Sequence, residues 1–254
     1  MRVIGTSIRQ AVVSPRFLSA ALGTFLILLF SLLEGLIEAL RTAGLLAYGA
    51  HTQLLTDAMG AEGMALALPI LAALPYATAV LDDVKSGYIK AYLPRAGAGR
   101  YAVGKALSCA LSGGLALLAG VLLCFGASAL LLLPKEAAPL IGPGTAARPP
   151  SPFLLKCALL FGSGCFWSLT GLLLASLFKS RYLAYAGPFV ACYALIILYE
   201  RYFASLYVLY PREWLNPSAL WAMGPYGAAA LLLVLSGVVG CGFAYWASRK
   251  LVQA

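Results

Sequence analysis

LDDVKSGYIKAYLPRAGAGRYAVGK, residues Leu81 to Lys105, is the stretch on which the fold turns. It separates two long apolar runs. It carries Lys85, Lys90, Arg95, Arg100 and Lys105, five of the chain's eighteen Lys and Arg residues. The rest of the chain is its opposite. Of 254 residues, 62% are hydrophobic and only 11% are charged, against roughly 25% charged in a soluble domain. A chain this apolar, with ample length for an aqueous core, has lipid as its main solvent. A spanning helix needs roughly 20 mostly apolar residues. Six runs qualify: 17–40, 64–81, 102–133, 154–178, 182–199 and 226–246. The expected fold is an all-α membrane protein, with residues 1–254 forming a single transmembrane domain.

Six spans put both termini on one side. That side takes the N-terminus, the 81–105 segment, the Lys179–Arg181 turn and the C-terminus. It receives Arg2, Arg9, Arg16, Lys85, Lys90, Arg95, Arg100, Lys105, Lys179, Arg181, Arg249 and Lys250. The other side receives only Arg41, Lys135, Arg148, Lys156, Arg201 and Arg212. Lys and Arg accumulate on the cytoplasmic side, so both termini are expected in the cytoplasm. Orientation thus accounts for the net charge of +9, and no nucleic-acid partner is needed.

The flanking segments have distinct characters. Residues 1–16 put Val3, Ile4, Ile8, Val12 and Val13 among three arginines, the pattern of an interfacial helix. A secretory signal would have an apolar core of about 7–15 residues, whereas the run from Phe17 continues to Leu40. An uncleaved first span is expected. Residues 41–63 read as a polar outer loop holding His51, and 134–152 as an irregular loop rich in Pro, Gly and Ala. Residues 200–225 carry Tyr202, Phe203, Tyr207, Tyr210, Trp214 and Trp221, broken by Pro211, Pro217 and Pro225. They are too aromatic for a solvated loop and too broken for a span. Short re-entrant helices before span six, with rings at headgroup depth, are expected.

Chemistry-bearing motifs are scarce. No GxxxxGK[ST] phosphate loop occurs, so any ATP is expected to be hydrolysed on another chain. The six cysteines lack CxxC spacing and read as buried thiols serving as small apolar side chains. There is no HExxH and no second histidine, so neither a metal site nor an enzyme is expected. Glu34 and Glu38 lie one turn apart on span one, with Arg41 three residues on. With Glu200 and Arg201 at the end of span five, they form a candidate outer gate or polar site. Ser168 and Thr170 are expected to bond backbone carbonyls. Glycines at 113, 114, 120, 126, 162, 164, 237, 240 and 242 favour close helix approach. Gly187–Pro188 is expected to bend span five.

Within the basic segment, Val84, Tyr88, Ala91 and Tyr92 recur at three- and four-residue spacing, which puts them on one helical face. A helix over 83–93 is expected, with Asp82 and Asp83 at its N-terminus and Pro94 as its stop. Gly87 would lie in its interior, where it costs about 1 kcal/mol relative to alanine and so points to close packing. Tyr101 and Lys105 are expected to anchor span three at the interface. The apolar stripe is short for membrane binding, and an aromatic centre with a basic rim suits a cleft in a partner protein.

This pattern, Asp83, Gly87–Tyr88, Arg95, Arg100–Tyr101 and Lys105, resembles the first cytoplasmic loop of exporter-type ABC transporter permeases. The resemblance extends to the length, the six spans, the basic N-terminal helix and the broken aromatic segment before span six. It implies that the loop holds a coupling helix docked on a separate ATPase subunit. Asp83, Val84, Gly87, Tyr88, Lys90 and Tyr92 would lie in or beside that contact, with Arg95 and Arg100 flanking it. It further implies ATP and Mg on the partner and a second permease subunit, identical or homologous. The location implied is a bacterial cytoplasmic membrane. The alternatives are the substrate-binding membrane component of an import system and a non-transport scaffold or immunity protein. Few buried polar residues are available for an importer's ligand.

Overall fold

A computed structural model describes residues 2–42, 44–89, 93, 97–137, 152–203, 205–221 and 223–252. Ten α-helices are named among them: α1 Arg2–Val12, α2 Pro15–Arg41, α3 Ala50–Met59, α4 Glu62–Ala73, α5 Ala79–Lys85, α6 Ala98–Leu132, α7 Pro152–Phe178, α8 Arg181–Arg201, α9 Pro211–Leu215 and α10 Pro225–Val252. Short 3-10 turns follow α6 at Leu133–Lys135 and precede α9 at Tyr207–Leu209. The described residues contain no strand, only an isolated bridge between Leu46 and Glu136.

Helices α2, α6, α7, α8 and α10 are each long and apolar enough to cross a membrane. The protein is therefore an all-α, multi-pass membrane protein. The single span expected over 64–81 is not one helix. At 12 residues, α4 is only about 18 Å long at 1.5 Å per residue, short of the roughly 30 Å hydrocarbon core. Residues 74–78 then form turns, with Pro75 among them, before α5 resumes. Above it, α3 meets α4 at a 68° bend, and the pair counts as a sixth crossing only if taken together.

That bend corrects the reading of 41–63 as a polar loop. Leu55, Ala58 and Met59 sit at helical spacing on α3 and are buried. They join Leu28 and Leu32 of α2, Met64 and Leu68 of α4, Leu117 of α6 and Leu160 of α7 in the largest core cluster. A second cluster contains Ala11 of α1, Tyr76, Val80 of α5, Ala102 of α6 and Phe243 of α10. Among the α1 residues whose side chains are described, Ser7 and Ala11, one turn apart, are buried, while Ile8 and Val12 are only partly covered. The helix thus clings to the bundle through a small-residue stripe beside its apolar face.

Local chemistry sets the helix ends. Ser14 Oγ accepts from the Phe17 N–H at 3.1 Å and Pro15 fills the first turn of α2, a standard helix start. Thr42 Oγ1 donates to the Glu38 carbonyl at the other end. Helix α8 runs as one element through Pro188. Proline cannot donate to the carbonyl four residues back, and that Ala184 carbonyl faces Gly171. A Cβ at Gly171 would lie 2.6 Å from its oxygen.

Gly87 is not a helix-interior residue. Its φ is +72°, a region L residues disfavour, and a Cβ there would meet nothing within 4 Å. It ends α5 and turns the chain. Gly87→Ala is therefore expected to cost about 1 kcal/mol through backbone strain alone, and Gly87→Asn less. Thermal unfolding of the two variants checks the order.

Candidate functional site

The densest polar cluster lies where the N-terminus of α2, the end of α5 and the starts of α6 and α8 meet. Asp82 accepts from Arg16 of α2 at 3.1 Å and from Arg181 of α8 at 2.5 Å. Thr78 Oγ1 also donates to Asp82, at 3.1 Å, and accepts from Arg16 at 2.7 Å. Asp83 accepts from Lys105 Nζ at 2.7 Å and from the Tyr101 hydroxyl at 2.6 Å, both on α6. Lys105 Nζ donates onward to the Tyr76 hydroxyl at 2.9 Å. Two adjacent carboxylates thereby tie α5 to three long helices. A cleft of about 320 Å³ opens beside them, lined by Gln10, Ser14, Arg16, Tyr76, Asp83 and Lys105 among others.

The ion pairs of the two carboxylates differ in strength. Arg16 and Arg181 are about half exposed, and exposed pairs contribute roughly 0–1 kcal/mol each. The Lys105 and Asp83 side chains are only 6% and 18% exposed, so losing either partner leaves a nearly buried charge. Burial works against ionised Asp82, but the Arg16 hydrogen bond, the Thr78 hydroxyl and the two arginine charges win and hold its carboxyl below the ordinary value. Asp82 lies in the first turn of the seven-residue α5, and Asp83 one residue on, toward the end where the helix dipole disfavours a carboxylate. The three cations from other helices supply the compensation. The expected capping role of Asp82 and Asp83, and the interface-anchor role of Tyr101 and Lys105, are corrected accordingly. Tyr101 and Lys105 are 2% and 5% exposed.

The helix expected over 83–93 breaks at Ser86–Gly87. Val84 and Tyr88 are 55% and 48% exposed and lie on either side of that break, past the Asp82–Asp83 root. Arg100 is exposed in the first turn of α6. Lys90, Tyr92 and Arg95, with Pro94, lie outside the described residues.

The opposite end is held by different residues. Glu136 accepts from the backbone N–H groups of Gly49 (3.1 Å) and His51 (2.8 Å) and pairs with His51 Nδ1 at 2.6 Å. The carboxylate thus caps α3 from a distant part of the chain. Lys135 Nζ donates to the Leu40 carbonyl at 2.6 Å, and Lys156 Nζ to the Thr56 carbonyl at 2.7 Å. Arg212 of α9 pairs with Glu62 of α4. Asn216 donates to the Gly60 carbonyl. Trp214 is buried against Phe166 and Trp167 of α7, and Trp221 against Tyr207. The segment 205–221 therefore folds over the end of the bundle and aims these two tryptophans at protein. Tyr202, Leu220 and Met223 remain exposed.

The four residues of the expected outer site all lie on the exposed surface of the chain. Glu34 and Glu38 are exposed on α2, and Glu200 and Arg201 are exposed at the end of α8. The five ion pairs among the described residues include none of the four. Thr170 bonds its own helix at the Phe166 carbonyl, whereas Ser168 reaches across to the Cys109 carbonyl of α6 at 2.8 Å. All six cysteines are free, and Cys241 is exposed rather than buried.

Burial raises the Glu136 carboxyl, but the His51 backbone and side-chain hydrogen bonds and the Gly49 N–H outweigh it and hold it below the ordinary 4.5. Its stabilisation is fully present above pH 4.5 and is lost as pH falls through the lowered value. Acid is therefore expected to loosen α3 first, and Glu136→Gln should abolish that acid-sensitive step. Tryptophan fluorescence from pH 6 to pH 3 checks it. No protein-family model, curated protein or solved structure matches this chain.

Proposed function

We propose that the chain is the membrane-spanning subunit of an ATP-driven exporter of the ABC type, moved by a separate ATPase that docks on the 81–105 segment. One observation carries the reading. The exposed apolar tip formed by Val84 and Tyr88 stands directly on a root, Asp82–Asp83, bonded to α2, α6 and α8. A push on such a tip enters three long helices at once. A free loop or a lipid anchor would not need that root. The break at Gly87 makes the tip a turn rather than a continuous coupling helix. Lys90, Arg95 and Arg100 would give it a basic rim, and Tyr92 a further aromatic contact.

In this reading the tip faces the cytoplasm of a bacterial cell, on the side that collects twelve of the eighteen cations. ATP and Mg2+ belong to the partner, and the chain itself performs no covalent chemistry. A second permease subunit completes the path. Nucleotide-driven closure of the partner biases α2, α6 and α8 between two arrangements.

Co-purification with the ATPase from a neighbouring reading frame tests this. Tyr88→Ala and Gly87→Trp should each reduce recovered ATPase about tenfold, a loss of roughly 1.4 kcal/mol. Asp82→Asn should retain the ATPase but lower ATP-dependent transport. Unchanged association and transport in the Tyr88 and Gly87 variants would refute the docking role.

A further inference from the structure

The cleft of about 320 Å³ beside the Asp82–Asp83 root has a chemistry that the ion pairs do not use up. Arg16, Tyr76, Asp82, Asp83 and Lys105 all line it. Its size falls at the lower end of small-molecule sites, about 300–1,000 Å³.

The hydrogen-bonding capacity left over in the cleft consists mainly of donors. Arg16 uses Nη1 on Thr78 and Asp82, and its Nε and Nη2 meet no acceptor among the described residues. Lys105 Nζ carries three protons and directs two of them, to Asp83 and to the Tyr76 hydroxyl. Tyr76 is only 7% exposed. Its oxygen accepts from Lys105, while its own proton meets no acceptor among the described residues. A buried donor in that state is costly, so the site favours an acceptor from outside the chain. The acceptors of the cleft are largely engaged. Asp82 is met at Oδ1 by Arg181 and at Oδ2 by Arg16 and Thr78. Asp83 takes Lys105 and Tyr101 at Oδ2, which leaves Oδ1 without a donor among the described residues.

Charge points the same way. Arg16, Arg181 and Lys105 face only Asp82 and Asp83, so the cluster keeps one positive charge in excess. The cleft also opens where Ser14 and Pro15 begin a membrane-spanning helix, which is the depth of lipid headgroups.

We propose that the cleft binds a phosphate monoester. In its singly charged form the ester's oxygens accept from Arg16, Tyr76 and Lys105, and its remaining proton is donated to Asp83 Oδ1. A carboxylate has one oxygen fewer and no proton to return, and it matches this arrangement less well. The same group occurs on a lipid headgroup and on a small soluble ester. The proposal does not rest on the ATPase reading: that reading fails at Tyr88 and Gly87, this one at Arg16 and Tyr76.

The purified full chain in neutral detergent tests it in two arms. Native mass spectrometry compares retention of phosphatidic acid with that of diacylglycerol bearing the same chains. Thermal unfolding is followed as glycerol 3-phosphate is added. Phosphatidic acid retained about tenfold better than diacylglycerol, the scale of a charge-assisted hydrogen bond, assigns the site to lipid. A raised melting temperature with glycerol 3-phosphate assigns it to a soluble ester. In either case Tyr76→Phe and Arg16→Gln should each remove most of the effect. Tyr76→Phe keeps the ring, and Arg16 is about half exposed, so both variants should fold, which circular dichroism checks. Arg249→Gln with Lys250→Gln removes two exposed cations that do not line the cleft, and it should leave binding unchanged. The proposal is overturned if neither ligand is held. It is also overturned if binding survives both cleft variants, or if it falls as far in the Arg249 and Lys250 variant, which would mark attraction to surface charge alone.

Discussion

Lys105→Met is expected to destabilise the protein by about 3–5 kcal/mol, the usual cost of removing one partner from a buried ion pair. Lys105 stands nearly buried on α6, with Nζ 2.7 Å from Asp83 and 2.9 Å from the Tyr76 hydroxyl. Without it, Asp83 keeps the Tyr101 hydroxyl at 2.6 Å as its one side-chain donor among the described residues, and faces the unfavourable end of α5. The aspartate must then be desolvated without compensation or take up a proton. Asp83→Leu should cost a similar amount for the opposite reason. The double variant should be clearly less destabilised than the sum, because neither orphaned charge remains. Reversible unfolding in mixed micelles, read by circular dichroism, measures all three. A Lys105→Met loss below about 1 kcal/mol would place the pair in the weak, solvent-screened class.

The second large effect is steric. Gly113→Leu is expected to lower stability by about 3 kcal/mol or more, the upper end of the overpacking range. A Cβ at Gly113 would lie 2.8 Å from the Ala72 carbonyl oxygen and 2.5 Å from Ser168 Cβ. Backbone cannot step aside as a flexible side chain can. The same change should separate α4 and α7 from α6, one of the helices bonded to the root of the 81–88 tip. Gly120→Leu should behave alike, since its Cβ would meet the Ala21 carbonyl oxygen at 2.7 Å. Gly126→Leu is the control: a Cβ there meets nothing within 4 Å, and its effect should stay within about 0.5 kcal/mol. Equal effects at 113 and 126 would remove the close-approach explanation.

Much of the fold was legible because lipid imposes a simple rule. Uninterrupted apolar runs must be helical, and five of the six expected runs are single long helices. The grouping of helix ends also follows from charge. Arg16, Asp82 and Arg181 meet at one end, Lys135 and His51 at the other. The exception was the second span. Pro69 within α4 and Pro75 after it were visible, but hydropathy averages over both. The α3 helix was missed because His51, Thr52 and Asp57 read as polar loop, although Leu55, Ala58 and Met59 already had helical spacing.

The site was less legible, and the reason is physical. Asp82 and Asp83 beside an expected helix start look like caps, and only tertiary structure reveals that their partners lie on α2, α6 and α8. One signal was available. Lys105 is a lysine inside an otherwise charge-free run, where an ionisable residue needs a named partner. Glu34 and Glu38 carried the same kind of signal, yet they lie on an exposed face. Helical spacing alone does not say which face of a lone helix is covered. The role of Gly87 was hidden too, because a glycine that ends a helix and one that packs inside it read alike in a sequence.

The claim that a separate ATPase presses on the Val84–Tyr88 tip is tested most directly by a photocrosslinking amino acid placed at Tyr88 in living cells. The account predicts a dominant adduct with a soluble ATP-hydrolysing protein on the cytoplasmic side, lost when Gly87 is replaced by tryptophan. Capture of phospholipid alone, or labelling of position 88 by a membrane-impermeant reagent added outside the cell, would contradict it.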